Sequence, residues 1–197
     1  MKKIVPFGLF ILLNLCQYVL YAQADESTFS VGDQVPNFTG VDQFGNDFML
    51  SEQLEKGPVV LMFYRGYWCP YCNKQLSEMQ DSLKFISERG GAVVAVTPEQ
   101  PEYIEETVNQ TDASFKIIHD KDLQIMKSFG VAYKMEDALV KKYKRNGLDV
   151  AQTNGDNGTY LPVPATYIIN SDGSILFAFY DPDYKKRATV SKILKNL

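Results

Sequence analysis

Residues 59–72 read VVLMFYRGYWCPYC, an apolar run that leads directly into a pair of cysteines. The part from Val59 to Tyr64 is rich in β-branched and aromatic residues and follows Gly57-Pro58, a pattern typical of a strand buried on both faces. The motif Cys69-Pro70-Tyr71-Cys72 comes shortly after this strand. The order places the cysteine pair at the carboxyl end of a central strand, and the rest of the fold is predicted outward from it.

An alternation of helices and strands follows the cysteines. Apolar residues recur at three- and four-residue spacing and predict an amphipathic helix that runs to Gly90-Gly91, namely Leu76, Met79, Leu83 and Ile86. Residues 92–96 and 115–118 are short apolar runs that predict two more buried strands, with an acidic surface helix over residues 98–110 between them. This alternation predicts a parallel arrangement of the three strands.

Hairpins are predicted at both ends of this alternation. Phe44-Gly45-Asn46 lies between short apolar runs and indicates an N-terminal hairpin, and Asp172-Gly173 joins two strand-like runs near the C-terminus. A closing helix is expected over Val190–Leu197, and residues 136–160 have the composition of an inserted surface element that ends in a flexible loop. The fold class is therefore α/β, a central mixed sheet flanked by helices with an N-terminal hairpin.

The first 24 residues have the pattern of a signal peptide. Lys2 and Lys3 precede the largely apolar stretch Ile4–Leu20, and Ala22-Gln23-Ala24 places small residues at the two positions that a signal peptidase reads. We therefore expect a signal peptide over residues 1–24, a single domain over residues 25–197, and export to the bacterial periplasm. The alternative is an uncleaved membrane anchor, because the apolar stretch approaches spanning length.

Composition limits the partners of the mature domain. Removal of Lys2 and Lys3 leaves 18 basic residues against 24 acidic ones, a formal net charge of −6, which argues against nucleic acid as a partner. No stable membrane insertion is expected after cleavage. A C-x-x-C motif supplies two zinc ligands, the chain has no second pair, and His119 is its single histidine, so we expect no metal and no organic cofactor.

Cys69 and Cys72 are the two cysteines left after cleavage of residues 1–24, and their spacing suits redox chemistry. Residues three apart lie on one face of a helix, close enough for a disulfide after a small adjustment. Pro70 favours the first helical position, which puts Cys69 at the N-cap beside unpaired amides and the positive end of the helix dipole. The sequence therefore predicts that Cys69 is the nucleophilic thiolate and that Cys72, one turn deeper, is the resolving thiol.

Four further residues are candidates for supporting roles. Trp68 and Tyr71 flank the cysteines and either form a docking surface or pack at the strand-to-helix junction. Arg65 lies four residues before Cys69, where it either stabilises a thiolate or is solvated. Pro164 precedes a predicted strand and either faces the cysteine pair through a cis bond, as in thioredoxin-like proteins, or is a trans proline that opens an edge strand.

Five segments carry a resemblance to a known family, namely residues 63–72, Thr97-Pro98-Glu99, Phe129-Gly130-Val131, residues 164–167 and Asp181-Pro182-Asp183-Tyr184. Together they resemble peroxiredoxin-like proteins of the alkyl hydroperoxide reductase and thiol-specific antioxidant (AhpC/TSA) family, within the thioredoxin superfamily. The resemblance implies a thioredoxin-like fold and an antioxidant thiol enzyme. The peroxiredoxin pattern P-x-x-x-T/S-x-x-C places the peroxidatic cysteine at Cys72, with Arg65 at the position of its proline and Cys69 at that of its threonine.

Three hypotheses about function follow. The first is reduction of disulfides or hydroperoxides through a Cys69–Cys72 dithiol and disulfide cycle, with electrons supplied by a thioredoxin-like donor. The second is a thioredoxin-dependent peroxidase in which Cys72 is peroxidatic and Cys69 resolves. The third, from another class, is an exported binding module with an inert structural disulfide.

Overall fold

The chain forms a layered α/β structure around the strand that leads to the cysteines. The computed structural model describes residues 29–197, so the predicted signal peptide lies outside the described residues. The strands of the described part are β1 (Thr39–Asp42), β2 (Asp47–Met49), β3 (Val59–Phe63), β4 (Ala92–Thr97), β5 (Lys116–His119), β6 (Ala132–Lys134), β7 (Tyr160–Pro162), β8 (Ala165–Ile169) and β9 (Ile175–Tyr180).

Seven of these strands form one mixed sheet in the order β2-β1-β5-β4-β3-β8-β9. Strands β3, β4 and β5 are parallel, as the alternation of elements predicts, while β8 and the two hairpins are antiparallel to their neighbours. The predicted N-terminal hairpin is β1–β2, and the predicted C-terminal hairpin is β8–β9. A separate two-stranded sheet of β6 and β7 is not anticipated by the sequence, since each of its strands is only three residues long.

Helices cover both faces of the sheet. They are α1 (Leu50–Leu54), α2 (Pro70–Asp81), α3 (Leu83–Ser87), α4 (Pro101–Thr111), α5 (Gln124–Ser128), α6 (Asp137–Arg145), α7 (Val150–Asn154) and α8 (Val190–Lys195). The single helix predicted after the cysteines is broken at Ser82, whose φ of −103° and ψ of 0° leave the helical region. Helix α4 begins at Pro101, a favoured first position, so Pro98 and Glu99 stay in the loop that follows β4.

The alternation of side chains along β3 and β4 divides the core in two. Leu61 and Phe63 contribute to a cluster on one face of the sheet, together with aromatic residues such as Phe129. Val60 and Met62 point to the other face and join a cluster that includes both cysteines. The cysteine pair is therefore part of a packed core layer.

Residues 136–160 are predicted to be an inserted surface element that ends in a flexible loop, but the structure has helices and a short turn up to Asn157. They form α6, α7 and a short 3₁₀ turn over Gly155–Asn157. Asn154 and Asn157 are buried, and their amides donate to the backbone carbonyl oxygens of Tyr160, Pro98 and Asp120. Side-chain amides thus satisfy buried backbone acceptors, which a composition-based prediction of a solvated loop does not capture. Within residues 29–197, none of the helices has the length and hydropathy that a bilayer crossing requires.

Candidate active site around the cysteine pair

Helix α2 begins at the cysteine motif in the way that its sequence predicts. Cys69 is the N-cap residue with extended backbone angles, and Pro70 occupies the first helical position. The backbone N–H groups of Cys72 and Asn73 both donate to the carbonyl oxygen of Cys69 at 3.0 Å. This geometry puts the Cys69 side chain at the positive end of the helix, where a thiolate is favoured.

The two thiols differ in their electrostatic surroundings although both are buried. A hydrogen bond from the Cys72 thiol lowers the pKa of Cys69 most, burial opposes it, and the backbone N–H of Cys72 and the charges of Arg65 and Arg187 lower it further, to about 6. Burial and the neighbouring Cys69 raise the pKa of the Cys72 thiol well above its ordinary value. Cys69 therefore carries the negative charge of the pair at neutral pH and Cys72 keeps its proton. The sequence predicts only Cys72 to be deep, whereas Cys69 is also just 1% exposed.

Arg65 is buried beside the pair and is not solvated. Its guanidinium carbon lies 4.9 Å from the ring centroid of Trp68 and 4.3 Å from that of Tyr184, and its Nη2 donates to the Tyr143 hydroxyl at 3.0 Å. A guanidinium between aromatic rings gains cation–π attraction in place of hydration. Tyr143 comes from α6, so the inserted element contributes directly to the surroundings of the cysteines.

A second arginine reaches the pair from the turn formed by residues 181–187, here called the 181–187 turn. Arg187 Nη2 lies 3.4 Å from Cys72 Sγ, and its Nη1 donates to the carbonyl oxygens of Tyr184 and Lys186. An ion pair of 3.0 Å between Lys186 and Asp181 closes the turn. The turn thereby places the Tyr184 ring against Arg65 and the Arg187 guanidinium beside Cys72.

The aromatic residues around the motif have different surroundings. Trp68 is half-buried and packs edge-on against Tyr143, with ring centroids 5.6 Å apart. Tyr71 is 39% exposed and contacts the ring of Tyr184 at 5.8 Å. Of the two aromatic neighbours singled out from the sequence, Trp68 thus packs and Tyr71 presents a ring to solvent.

Glu99 is a buried carboxyl in the loop after β4. Its Oε2 accepts a hydrogen bond of 2.9 Å from the backbone N–H of Tyr67, while its Oε1 has no hydrogen-bond partner among the described residues. A Cβ atom on Gly66 would lie 2.3 Å from this Oε1 and 2.6 Å from Nε1 of Trp68. Glycine at position 66 is therefore what lets the carboxyl and the indole approach the loop that carries Cys69.

Three side-chain and backbone contacts fix the loop that carries Glu99. His119 Nδ1 donates to the Glu99 carbonyl oxygen at 2.6 Å, and Asn157 donates to that of Pro98 at 2.8 Å. The backbone N–H of Gln100 donates to the carbonyl oxygen of Thr153. The end of the inserted element and the end of β5 thus hold this carboxyl in position behind the cysteine motif.

Glu99→Gln is expected to stabilise the protein at alkaline pH. Burial, with a contribution from Cys72, raises the pKa of Glu99 well above its ordinary value, so the folded protein holds this proton more tightly than the unfolded chain. The free energy of unfolding therefore falls as pH rises past the ordinary glutamate pKa, and glutamine removes that penalty while keeping an oxygen for Tyr67. Melting curves of both proteins at pH 4 and pH 8 measure the effect.

The gain in unfolding free energy from Glu99→Gln should appear at pH 8 and be small at pH 4. Each kcal/mol raises Tm by about 2–4 °C for a domain of this size. Glu102→Gln on the exposed side of α4 is the matched control and should show no such difference. An equal gain at both pH values would contradict the assignment of a buried, protonated carboxyl.

Pro164 fits neither of the two alternatives fully. No cis peptide bond occurs in residues 29–197, so the bond before Pro164 is trans. The proline is buried and directly precedes β8, which lies between β3 and β9 and is therefore an interior strand. The prediction of an edge strand is wrong because the sheet continues through β9.

Among the described residues, no cluster of three or more potential metal ligands is present.

The sequence reasoning missed Arg187, Tyr143 and the role of Glu99. The cation at Cys72 is Arg187, which follows β9 in the sequence and lies far from the cysteine motif along the chain. Two signals were available, since Glu99 and Tyr184 belong to the family-like segments and Arg187 lies three residues beyond Tyr184.

Comparisons with known proteins agree with this architecture. A relative named thiol-disulfide oxidoreductase ResA, from Bacillus thuringiensis subsp. konkukian, is 24% identical over 181 residues, which cover 89% of this chain and 87% of the relative. A Mycobacterium tuberculosis protein whose name places it among the peroxiredoxins is 25% identical over 166 residues, covering 84% and 93%.

Solved structures show the same fold. The crystal structure of peroxidoxin BcpB from Mycobacterium tuberculosis superposes with a TM-score of 0.66 at 21% identity and covers 85% of this chain and 96% of its own. The fold is thus thioredoxin-like, with a mixed sheet flanked by helices. The AhpC/TSA family model matches residues 31–178, which include the cysteine motif, Glu99 and Pro164. The protein therefore belongs to the AhpC/TSA family.

Proposed function

We propose that this protein is a thiol–disulfide oxidoreductase in which Cys69 attacks and Cys72 resolves. The observation that carries the proposal is the difference in acidity between the two thiols. Cys69, at the N-cap of α2, has a pKa of about 6, whereas the pKa of Cys72 is raised and this thiol keeps its proton. Relatives named as thiol-disulfide oxidoreductase and peroxiredoxin support thiol-dependent redox chemistry.

The chemistry proceeds in two exchanges. The Cys69 thiolate attacks one sulfur of a substrate disulfide, forms a mixed disulfide and releases the other sulfur as a thiolate. Cys72 then attacks the sulfur of Cys69 and passes its proton to the departing substrate sulfur, which leaves as a thiol as the Cys69–Cys72 disulfide closes. A thioredoxin-like dithiol protein restores the pair by the same steps, and the partly exposed Tyr71 is a candidate contact for these partners.

The rate of exchange should follow ionisation of Cys69. Pre-reduced full-length protein is mixed with 5,5′-dithiobis(2-nitrobenzoate) between pH 4 and pH 9, and release of thionitrobenzoate is followed by stopped flow. We expect a half-maximal rate near pH 6 and a tenfold loss per pH unit below it, because only the thiolate reacts. A midpoint near pH 8.5 would exclude Cys69 as an activated nucleophile.

One observation favours a second candidate, a hydroperoxide reductase with Cys72 as the peroxidatic residue. Arg187 Nη2 lies 3.4 Å from Cys72 Sγ and supplies a cation at the sulfur that the family pattern marks. In that reaction Cys72 would attack the peroxide and release an alcohol or water, and Cys69 would convert the resulting sulfenic acid to the disulfide with loss of water. Burial raises the pKa of Cys72, which disfavours the thiolate that this step requires.

We also propose export of the domain that spans residues 25–197 after cleavage of residues 1–24. The support is the sequence of the first 24 residues, with two lysines, an apolar stretch and Ala22-Gln23-Ala24. In a bacterial periplasm the pair would meet dithiols and disulfides of other exported proteins. N-terminal sequencing of the protein recovered from the periplasmic fraction tests this location, and an N-terminus at Met1 would favour the anchor.

A further inference from the structure

Arg65 is a buried cation whose partners are aromatic. Its guanidinium packs against Trp68 and Tyr184 and donates to the Tyr143 hydroxyl, and its Nε has no hydrogen-bond partner among the described residues. Within residues 29–197 the side chain makes no ion pair with a carboxylate. Taking a cation out of water is costly unless an opposite charge lies nearby, and aromatic rings compensate only part of that cost.

Arg187 adds a second cation, which is half-buried and also has no carboxylate partner. One nitrogen contacts Cys72 Sγ and the other donates to backbone carbonyl oxygens, and no carboxylate of the described part of the chain pairs with it. The buried carboxyl of Glu99 accepts from the Tyr67 N–H and forms an ion pair with neither arginine. The start of α2 contributes further positive potential. The negative charge that balances this field is the thiolate of the cysteine pair itself.

The two redox states of the pair respond differently to this field. The dithiol carries a thiolate on Cys69 that the charges of both arginines and the helix end stabilise, whereas the disulfide is neutral and offers these cations no negative charge. Interactions that stabilise only the reduced form raise the reduction potential of a dithiol–disulfide couple. Resting on the exchange activity proposed above, we infer that Arg65 and Arg187 make the Cys69–Cys72 disulfide a strong oxidant, so that the enzyme accepts electrons from dithiol proteins, including the thioredoxin-like donor that restores the pair.

When electrons pass from a dithiol protein to the Cys69–Cys72 disulfide, that dithiol protein is the substrate, and each arginine lies near a sulfur that leaves. A substrate thiolate attacks Cys69 Sγ, and Cys72 departs facing Arg187 and takes up a proton. The second substrate thiolate then attacks the substrate sulfur of the mixed disulfide, so that Cys69 departs as a thiolate near Arg65. The substrate dithiol is oxidised to a disulfide, two electrons pass to the enzyme, one proton remains on Cys72 and one goes to solvent. The reduced form of a thioredoxin-like protein is such a dithiol.

The equilibrium with a dithiol protein of known potential tests the inference. The oxidised full-length protein is mixed with an equimolar amount of reduced bacterial thioredoxin at pH 7, and the thiols are quenched in acid and counted by mass-tagged alkylation. We expect the enzyme to be reduced, with an equilibrium constant of about a hundred or more in its favour. A constant below about ten overturns the inference.

Two arginine variants and one control assign the effect. Arg65→Gln and Arg187→Gln should each lower that constant by about tenfold or more, because each removes a cation that only the thiolate state needs. Arg89→Gln is the matched control, since Arg89 is exposed and its side chain contacts the carbonyl oxygen of Phe85 one turn earlier. If Arg65→Gln does not fold, the equilibrium constants of the wild type and of Arg187→Gln still decide the outcome, because Arg187 is only half-buried. Constants for the arginine variants within twofold of wild type would also overturn the inference.

Failure of this inference is distinguishable from failure of the proposed function. A pair that exchanges rapidly but settles mainly as the disulfide keeps the exchange activity and removes the oxidising role. A pair that exchanges neither with thioredoxin nor with 5,5′-dithiobis(2-nitrobenzoate) removes both.

Discussion

Cys69→Ser is expected to slow disulfide exchange by about a thousandfold or more, because the remaining thiol is buried and holds its proton. Cys72→Ser should behave differently. The Cys72 thiol is the largest contributor to the lowered pKa of Cys69, and a serine hydroxyl can donate the same hydrogen bond, so the first attack by Cys69 should survive. Without a resolving sulfur the mixed disulfide should accumulate.

Intact-protein mass spectrometry after mixing each pre-reduced variant with a small disulfide separates these outcomes. We expect one substrate adduct on Cys72→Ser and none on Cys69→Ser. Hydrogen peroxide consumption is followed in parallel on the same samples. Rapid peroxide loss that persists in Cys69→Ser, with sulfenic acid on Cys72, would reverse the roles of the two cysteines and favour the peroxidase.

Gly66→Ala is expected to lower the free energy of unfolding by about 2–5 kcal/mol and to reduce exchange in the molecules that remain folded. The backbone at Gly66 has φ of +154°, and a Cβ atom there would clash with Glu99 and with Trp68. Glu99 is buried and Trp68 packs against Tyr143, so neither side chain can move away without disturbing its neighbours. Their displacement would move the loop that leads to Cys69.

Urea unfolding and the exchange rate of the reduced protein measure the two effects. Gly90→Ala provides the control, since Gly90 also has positive φ, at +76°, but no atom lies within 4 Å of the place that an added methyl group would occupy. It should show only the conformational cost of about 1–2 kcal/mol and normal exchange. Equal effects at positions 66 and 90 would mean that crowding at Gly66 is unimportant.

The main features of the fold can be predicted from local patterns. The apolar strand that begins at Val59, the proline that starts α2 and the Asp172-Gly173 turn each have a local physical cause, and the structure confirms all three elements. The family resemblance then adds the thioredoxin-like arrangement of the sheet. Local signals are also enough to place Cys69 at a helix N-cap.

The rest of the site depends on contacts between residues far apart in the sequence. Arg187 and Cys72 are separated by 115 positions, and Arg65 and Tyr143 by 78. An isolated arginine in a loop is usually solvated, so its burial between rings from α6 and the 181–187 turn cannot be deduced from its neighbours in the chain. The asparagines of residues 154–157 have the composition of a loop for the same reason, because their buried partners lie on other segments.

The burial of Cys69 has a kinetic consequence. Because Cys69 is only 1% exposed, its sulfur cannot meet a partner protein in the described arrangement, so the measured rate combines the fraction of molecules in an opened state with the intrinsic reactivity of the thiolate. A partner that binds the opened state would accelerate its own reaction, whereas a thiol reagent with no affinity for that state would react only with the fraction of molecules that is open.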